Sequence, residues 1–147
     1  MISSARQTTV LIVDDDEDFV TQQRAQLEAA GFAILTASSQ AEAEELLARG
    51  RPDIAIVDLM MEHTDAGFAL CYHIKKLDPA IGVILVSNVT SETGIEFDAA
   101  TDEERSWVKA DAFLAKPLRF EQLLGQMERL LSEKETTSAG MQGMQEI

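Results

Sequence analysis

The sequence predicts an α/β fold in which a doubly wound parallel sheet carries helices on both faces, on three observations. Short apolar runs recur along the chain, each bounded by polar or turn residues. Amphipathic stretches with helical spacing separate them, and polar or charged residues follow several of the runs. Alternation of strand and helix, repeated five times, favours a parallel sheet whose crossovers place helices on its two sides.

The strands are read first. Val10–Val13, Ile54–Val57, Val83–Val86 and Ala112–Ala115 form clear buried runs, and Phe32–Leu35 forms a weaker one. Gly31 marks the end of the first helix. Ser39 and Glu42 make a capping box that opens the second, whose stripe is Ala43, Leu46, Leu47 and Gly50. Leu70, Ile74 and Leu77 line the third helix, and Pro79 follows it. The clearest stripe is Phe120, Leu123, Leu124, Met127, Leu130 and Leu131 in the last helix. Thr101 and Glu104 form a further capping box, which predicts a short helix at Asp102–Lys109 around the single tryptophan, Trp107. The polar, Gly-containing stretch from Glu135 has no periodicity and is expected to be disordered.

Composition excludes several functions. With 26 acidic and 12 basic residues the formal charge is −14, and no basic run is present to meet a phosphate backbone. Direct nucleic-acid binding is therefore not expected, whereas a divalent cation or a basic protein surface suits this charge. No apolar run approaches the ~20 residues of a membrane helix, so no membrane association is expected. One cysteine, Cys71, cannot form an internal disulfide, which fits a reducing cytoplasm. On the third helix it reads as a small buried apolar residue. His63 and His73 lack partners at metal-ligand spacing and read as structural.

Parallel sheets bind ligands at the carboxyl ends of their strands. Asp14-Asp15-Asp16 follows the first strand, Asp58 the third, Ser87-Asn88 the fourth, and Lys116-Pro117 the fifth. Clustered carboxylates repel unless a cation neutralises them, and an all-oxygen set suits Mg²⁺ or Mn²⁺. With a lysine and a hydroxyl alongside, these groups make a phosphoryl-transfer site in which Asp58 is the nucleophile. Taken singly, each has a plainer reading. Ser87 alone is a strand-end hydroxyl, Phe113 a core residue and Lys116 a surface charge, and Asp16 reads as the N-cap of the first helix.

The segments VLIVDDD, IAIVDLMM, VILVS and AFLAKP, in this order and each at a strand end, resemble the signatures of the response regulator receiver domain of two-component signalling. The resemblance spans roughly Thr9 to Leu131. It implies a flavodoxin-like sheet of order 2-1-3-4-5, with residues 1–8 an N-terminal extension, 9–134 the receiver domain and 135–147 a tail. It implies that Asp58 is the phosphoacceptor and that Asp15, Asp58 and the Met60 backbone carbonyl ligate the metal, Asp14 acting through bound water. Ser87 and Phe113 take the places of the switch hydroxyl and switch aromatic, and Lys116 pairs with Asp58 before phosphorylation and with the phosphoryl group afterwards. Met60 and Val89 take the places that tune the lifetime of the phosphorylated state. The implied partners are a sensor histidine kinase or histidine phosphotransfer protein and a separate downstream protein, and a homodimer is compatible with the pattern. The implied role is a signalling switch that assists its own phosphorylation and dephosphorylation, not a metabolic enzyme.

The chain departs from the family pattern in two places. Glu62 stands where a proline is common, and Asp65-Ala66-Gly67 carries its glycine one position late. The segment between Ser87 and Lys116 is long, which predicts a helix there that is shortened, displaced or preceded by an irregular loop. Two other functions compete: a receiver-shaped scaffold that takes no phosphate, and a metal-dependent phosphohydrolase. Intact Asp15, Asp58, Ser87 and Lys116 argue against the first, and the absence of a water-activating group in DLMM against the second.

Overall fold

A computed structural model describes residues 7–59, 66–87 and 110–146, with side chains described at 7–59, 67, 69–87 and 110–133. The elements run β1 (Thr9–Val13), α1 (Glu17–Ala29), β2 (Ala33–Ala37), α2 (Gln40–Arg49), β3 (Ile54–Asp58), α3 (Ala66–Leu77), β4 (Gly82–Ser87), β5 (Ala112–Ala115) and α4 (Phe120–Glu146). The five strands pair in parallel in the order β2-β1-β3-β4-β5. This is the predicted sheet. Trp107 and the expected helix Asp102–Lys109 lie outside the described residues, as do His63, Met60 and Val89.

Strand residues point alternately to two faces, and both faces are dry. Leu11, Val13, Ala55, Val57, Val83 and Leu85 pack with Ala43 and Leu47 of α2 and Leu70, Cys71 and Ile74 of α3. Val10, Ile12, Ile54, Ile56, Ile84 and Val86 pack on the other side with Leu27 of α1 and Leu123, Met127 and Leu130 of α4. Buried on both sides, the central strands can be made only of apolar residues, which is why they read as continuous runs. Cys71 is fully buried in the first layer. Burial, then the nearby Asp111 carboxylate, push its thiol up to about 12 against a smaller lowering by Lys75, so it stays protonated and unreactive. Its apolar reading holds.

Local signals explain the helix ends. Gly31, at φ +103°, closes α1: its N–H bonds Glu28 O and that of Phe32 bonds Leu27 O, the paired bonds of a Schellman motif. That cap takes Phe32 out of the strand expected to begin there, so β2 starts at Ala33 and runs on to Ala37. Ser39 caps α2 by accepting from Glu42 N at 3.1 Å, but the returning Glu42 carboxylate accepts from the N–H of Ser38, not Ser39. Gly50 proves to be the extended residue after α2 and not part of its stripe. Leu77, at the last turn of α3, is 36% exposed, unlike Leu70 and Ile74 of the same stripe.

The last helix also differs from expectation. Its backbone continues to Glu146, through the stretch from Glu135 expected to be disordered. Extension of a packed helix adds a bond per residue without a new nucleation step, and Glu, Lys, Met, Gln and Ala are good helix formers. Among the described residues, no helix is long and apolar enough to cross a membrane.

At the amino end of the sheet, two aspartates fasten neighbouring strands. Asp53 Oδ2 accepts from Thr9 N at 2.9 Å, and Asp111 Oδ2 accepts from Val83 N at 2.7 Å. Lys75 Nζ pairs with the same Asp111 Oδ2 at 2.6 Å and donates to Ile81 O at 2.6 Å. These contacts hold the strands in register, which carries through to their other ends.

One polar residue is misfitted in the layer between α1 and the sheet. Gln23 is 1% exposed, and among the described residues its Oε1 is buried without a hydrogen-bond partner. An unmet buried amide oxygen destabilises, and an apolar side chain of similar length removes that penalty. Gln23→Met is expected to stabilise the fold by about 1 kcal/mol, or roughly 2–4 °C in Tm for a domain of this size. Thermal denaturation followed by circular dichroism measures it, and a lower Tm would contradict the assignment.

Candidate functional site

Strand register decides which side chains meet. Val13 pairs with Val57, Asp58 with Val86, and Ser87 with Ala115. The residues at or just past these positions are Asp14, Asp58, Ser87 and Lys116, and the sheet brings all four to one edge. Strand order reverses between β1 and β3, so Asp14 and Asp58 flank the point where such sheets leave a crevice.

The turn after β1 is shaped by its own carboxylates. Asp14 N bonds Ala37 O at 3.0 Å, and Asp14 Oδ1 accepts from Asp16 N at 2.9 Å. Asp16 caps α1, its Oδ1 accepting from Asp18 N and Phe19 N at 3.1 and 3.2 Å. That is the capping role expected for it. Asp15, between them, is exposed, while Asp14 and Asp58 are buried. Carboxylate oxygens of Asp14, Asp15 and Asp58 lie within 4.8 Å of one another.

Lys116 answers this negative charge. Its backbone N–H bonds Ser87 O at 2.8 Å, which fixes where its side chain starts. Its Nζ donates to Asp14 Oδ2 at 2.8 Å and lies 3.9 Å from Asp58 Oδ1. The resemblance implied pairing with Asp58; that ion pair is present at 3.9 Å, and a shorter hydrogen bond to Asp14, not foreseen, accompanies it. The Asp14 side chain is 1% exposed against 6% for Asp58, and a charge cut off from water depends most on a partner. Three carboxylates and one ammonium leave a formal excess of two negative charges. Oxygen donors carrying that excess fit a hard divalent cation such as Mg²⁺, which takes one or two carboxylates and keeps several waters.

Ser87 is buried at the end of β4, at the same edge as Lys116. Phe113 is partly buried and packs against the α2 and α3 layer. His73 is partly buried on α3 and is not part of this cluster.

One residue of the site, Phe19, was not singled out from sequence, and another, Gly67, was noted only as a displaced glycine. Phe19, in the first turn of α1, sets its ring 4.3 Å from Lys116 Nζ. Gly67, in the first turn of α3, lies against the backbone of Asp58 and Leu59. A Cβ there would fall 2.6 Å from Leu59 Cα and 2.7 Å from Asp58 O. A glycine inside a helix is unfavourable, so its presence signals a packing requirement, and that signal could have been read.

Comparison with known proteins agrees with this geometry. A family model described as the response regulator receiver domain matches residues 10–128. The chain is 34% identical over 129 residues to the heme response regulator HssR of Staphylococcus haemolyticus, covering 87% of this chain and 53% of that protein. It is 32% identical over 124 residues to the response regulator MprA of a Mycobacterium species, covering 83% and 50%. The chain thus spans about half the length of the curated relatives it matches. Among solved structures, a CheY-like receiver domain from Methanospirillum hungatei is 24% identical with a TM-score of 0.75, covering 90% of this chain and 99% of that one. A Burkholderia pseudomallei response regulator, crystallised with a phosphorylated aspartic acid, calcium and citrate, is 24% identical with a TM-score of 0.68, covering 90% and 74%. These two bear on the fold.

The Gly67 contact is directly testable. Gly67→Ala is expected to push α3 off the Asp58–Leu59 backbone, at a cost of about 1–3 kcal/mol, typical of overpacking. Chemical denaturation should show a lower midpoint with an unchanged slope. A midpoint equal to that of the unaltered protein would mean that the close approach is not a constraint.

Proposed function

This chain belongs to the response regulator receiver family, and from that premise we propose that it is switched by a phosphoryl group carried on Asp58. The observation that carries the reading is the buried Asp58 carboxylate, held 3.9 Å from Lys116 and within 4.8 Å of Asp14 and Asp15. The donor is a sensor histidine kinase or a histidine phosphotransfer protein. A carboxylate oxygen of Asp58 attacks the phosphorus in line with the donor imidazole. The new O–P bond forms as the N–P bond breaks, and the imidazole leaves with the electron pair.

Little covalent chemistry is asked of the protein beyond placing charge. Asp15 and Asp58, with the Met60 carbonyl and with Asp14 through water, would hold Mg²⁺ or Mn²⁺, whose charge offsets that of the phosphoryl oxygens. Lys116 exchanges its bond to Asp14 for one to the incoming group, and the Ser87 hydroxyl donates to another of its oxygens. Phe113, two residues before the Ala115 that pairs with Ser87, would follow Ser87 and convey the change to the helix layer against which it packs. The phosphorylated aspartic acid and calcium of the Burkholderia pseudomallei protein support an aspartate acceptor beside an oxygen-bound divalent ion. The formal charge of −14 supports output by protein–protein contact and not by direct binding of this chain to nucleic acid, and the single cysteine suits the cytoplasm.

The acceptor is tested by intact mass after incubation with Mg²⁺ and acetyl phosphate. The unaltered protein is expected to gain one phosphoryl group and Asp58→Asn none; undiminished labelling of the Asn variant would refute the assignment.

The phosphorylated state is expected to be long-lived, because Met60 and Val89, which take the two places that in receivers flank the path of attacking water, have apolar side chains that cannot orient it. Loss of label after donor removal should be roughly tenfold faster in Met60→Asn with Val89→Glu, a modest share of what positioning can contribute. Rapid loss from the unaltered protein, with no acceleration in the double variant, would remove these residues from that role.

A further inference from the structure

We infer that Phe19 is a positioning residue for Lys116, its ring holding the ammonium over the acceptor pocket. The inference rests on the reading of Asp58 as phosphoacceptor. A lysine ammonium is a compact charge on a flexible stem, so something other than the stem must fix its location. Two of its neighbours are anionic: Asp14 Oδ2 at 2.8 Å and Asp58 Oδ1 at 3.9 Å. The Phe19 ring, 4.3 Å from Nζ to centroid, is a third neighbour and carries no charge. That distance is well inside the ~6 Å within which a ring face attracts a cation.

Burial gives the contact its weight. The Lys116 side chain is only 10% exposed, so its ammonium has surrendered most of its water. An aliphatic residue beside it would exclude water and return nothing, whereas the negative face of an aromatic ring returns part of the lost solvation. The ring is itself well placed. The N–H of Phe19 is bonded to the Asp16 cap, in the same run that supplies Asp14 and Asp15, and its side chain packs against the apolar layer of α1 and α4. One turn of chain therefore fixes both the acidic groups and the surface on which their counter-charge rests.

A neutral neighbour also matters when Lys116 must move. Phosphorylation requires the ammonium to leave Asp14 for the phosphoryl group. A ring attracts it without competing for a directed hydrogen bond, so the charge can turn while remaining in the pocket. Packing alone would make Phe19 replaceable by any apolar side chain of its size; the proposed role requires a ring.

The test compares Phe19→Leu and Phe19→Met, which keep apolar bulk, with Phe19→Tyr, which keeps the ring face. The first readout is the proton NMR shift of the Lys116 ε-methylene, assigned with Lys116→Met, because a ring so close displaces it upfield. The second is the rate of labelling by acetyl phosphate with Mg²⁺, followed by intact mass. Displaced shifts are expected in the unaltered protein and in Phe19→Tyr, and ordinary ones in Phe19→Leu and Phe19→Met. Labelling is expected to fall roughly tenfold in the two aliphatic variants, within what a desolvated cation–ring contact can contribute, and to recover in Phe19→Tyr. In the Lys116→Met background Phe19→Leu should slow nothing further. An ordinary shift in the unaltered protein, or folded aliphatic variants that label at its rate, overturns the role. Should the unaltered protein take no label, the acceptor reading fails, and the shift alone then decides: displaced, it upholds the ring's hold on Lys116; ordinary, it overturns it.

Discussion

Like charge gathered at one edge of an apolar sheet is the constraint on which the rest of this structure depends. Asp14 and Asp58 are buried, with oxygens within 4.8 Å of each other, and such a pair repels by about 3 kcal/mol at an effective dielectric of ~20. Asp16 N and Lys116 offset part of this at Asp14, but the two carboxylates remain crowded together. Register puts them there, and register is set by two apolar layers and by the pairing of Val13 with Val57 and Asp58 with Val86. The surrounding fold must therefore be stable enough to hold a locally unfavourable group of side chains in place. The reward is a pocket that a divalent cation or a phosphoryl group beside Lys116 can stabilise, which makes binding and conformation interdependent.

Aspartate serves opposite ends of the sheet in opposite ways. At the amino end, Asp53 and Asp111 accept from backbone N–H groups of adjacent strands and are satisfied within the fold. At the carboxyl end, Asp14 is satisfied by Asp16 N and Lys116, while Asp15 stands exposed and open to a ligand. The first pair fixes the strands; the second group is left with charge to be answered from outside. Residue type alone does not separate the two. The position of each relative to the strand it adjoins does, before it or after it.

That distinction also marks how far the sequence could be read. Both-faced burial makes strand cores continuous apolar runs, so four strands were legible to within a residue or two at their ends, and the polar residues that follow them identified the site. The fifth, β2, begins one residue later and ends two residues later than read, because Phe32 belongs to the Schellman cap and Thr36 extends the edge. Contacts between distant segments were not legible. The Lys116 bond to Asp14 spans 102 residues, and the Phe19 ring reaches the same lysine across a similar separation. Periodicity describes which face a side chain takes, not which neighbour it meets there. Gly67 is intermediate: its cost within a helix hinted at a close approach, but only the packing names Asp58 and Leu59 as what it approaches.

The position of α1 bears on where phosphoryl charge must be met. A helix N-terminus offers unpaired N–H groups and a partial positive charge, and often binds anions directly. Here Asp16 already accepts from Asp18 N and Phe19 N, so that end of α1 is engaged by the chain's own carboxylate. An incoming phosphoryl group cannot draw on those donors without displacing the cap. On the proposed function, the task of offsetting its charge would fall to Lys116 and to a cation held by the acidic cluster. What α1 contributes is the Phe19 ring beneath that lysine. On the proposed function, the first turn of the helix would serve the site through the ammonium it contacts, and the location of that one group would be the variable on which phosphoryl transfer turns.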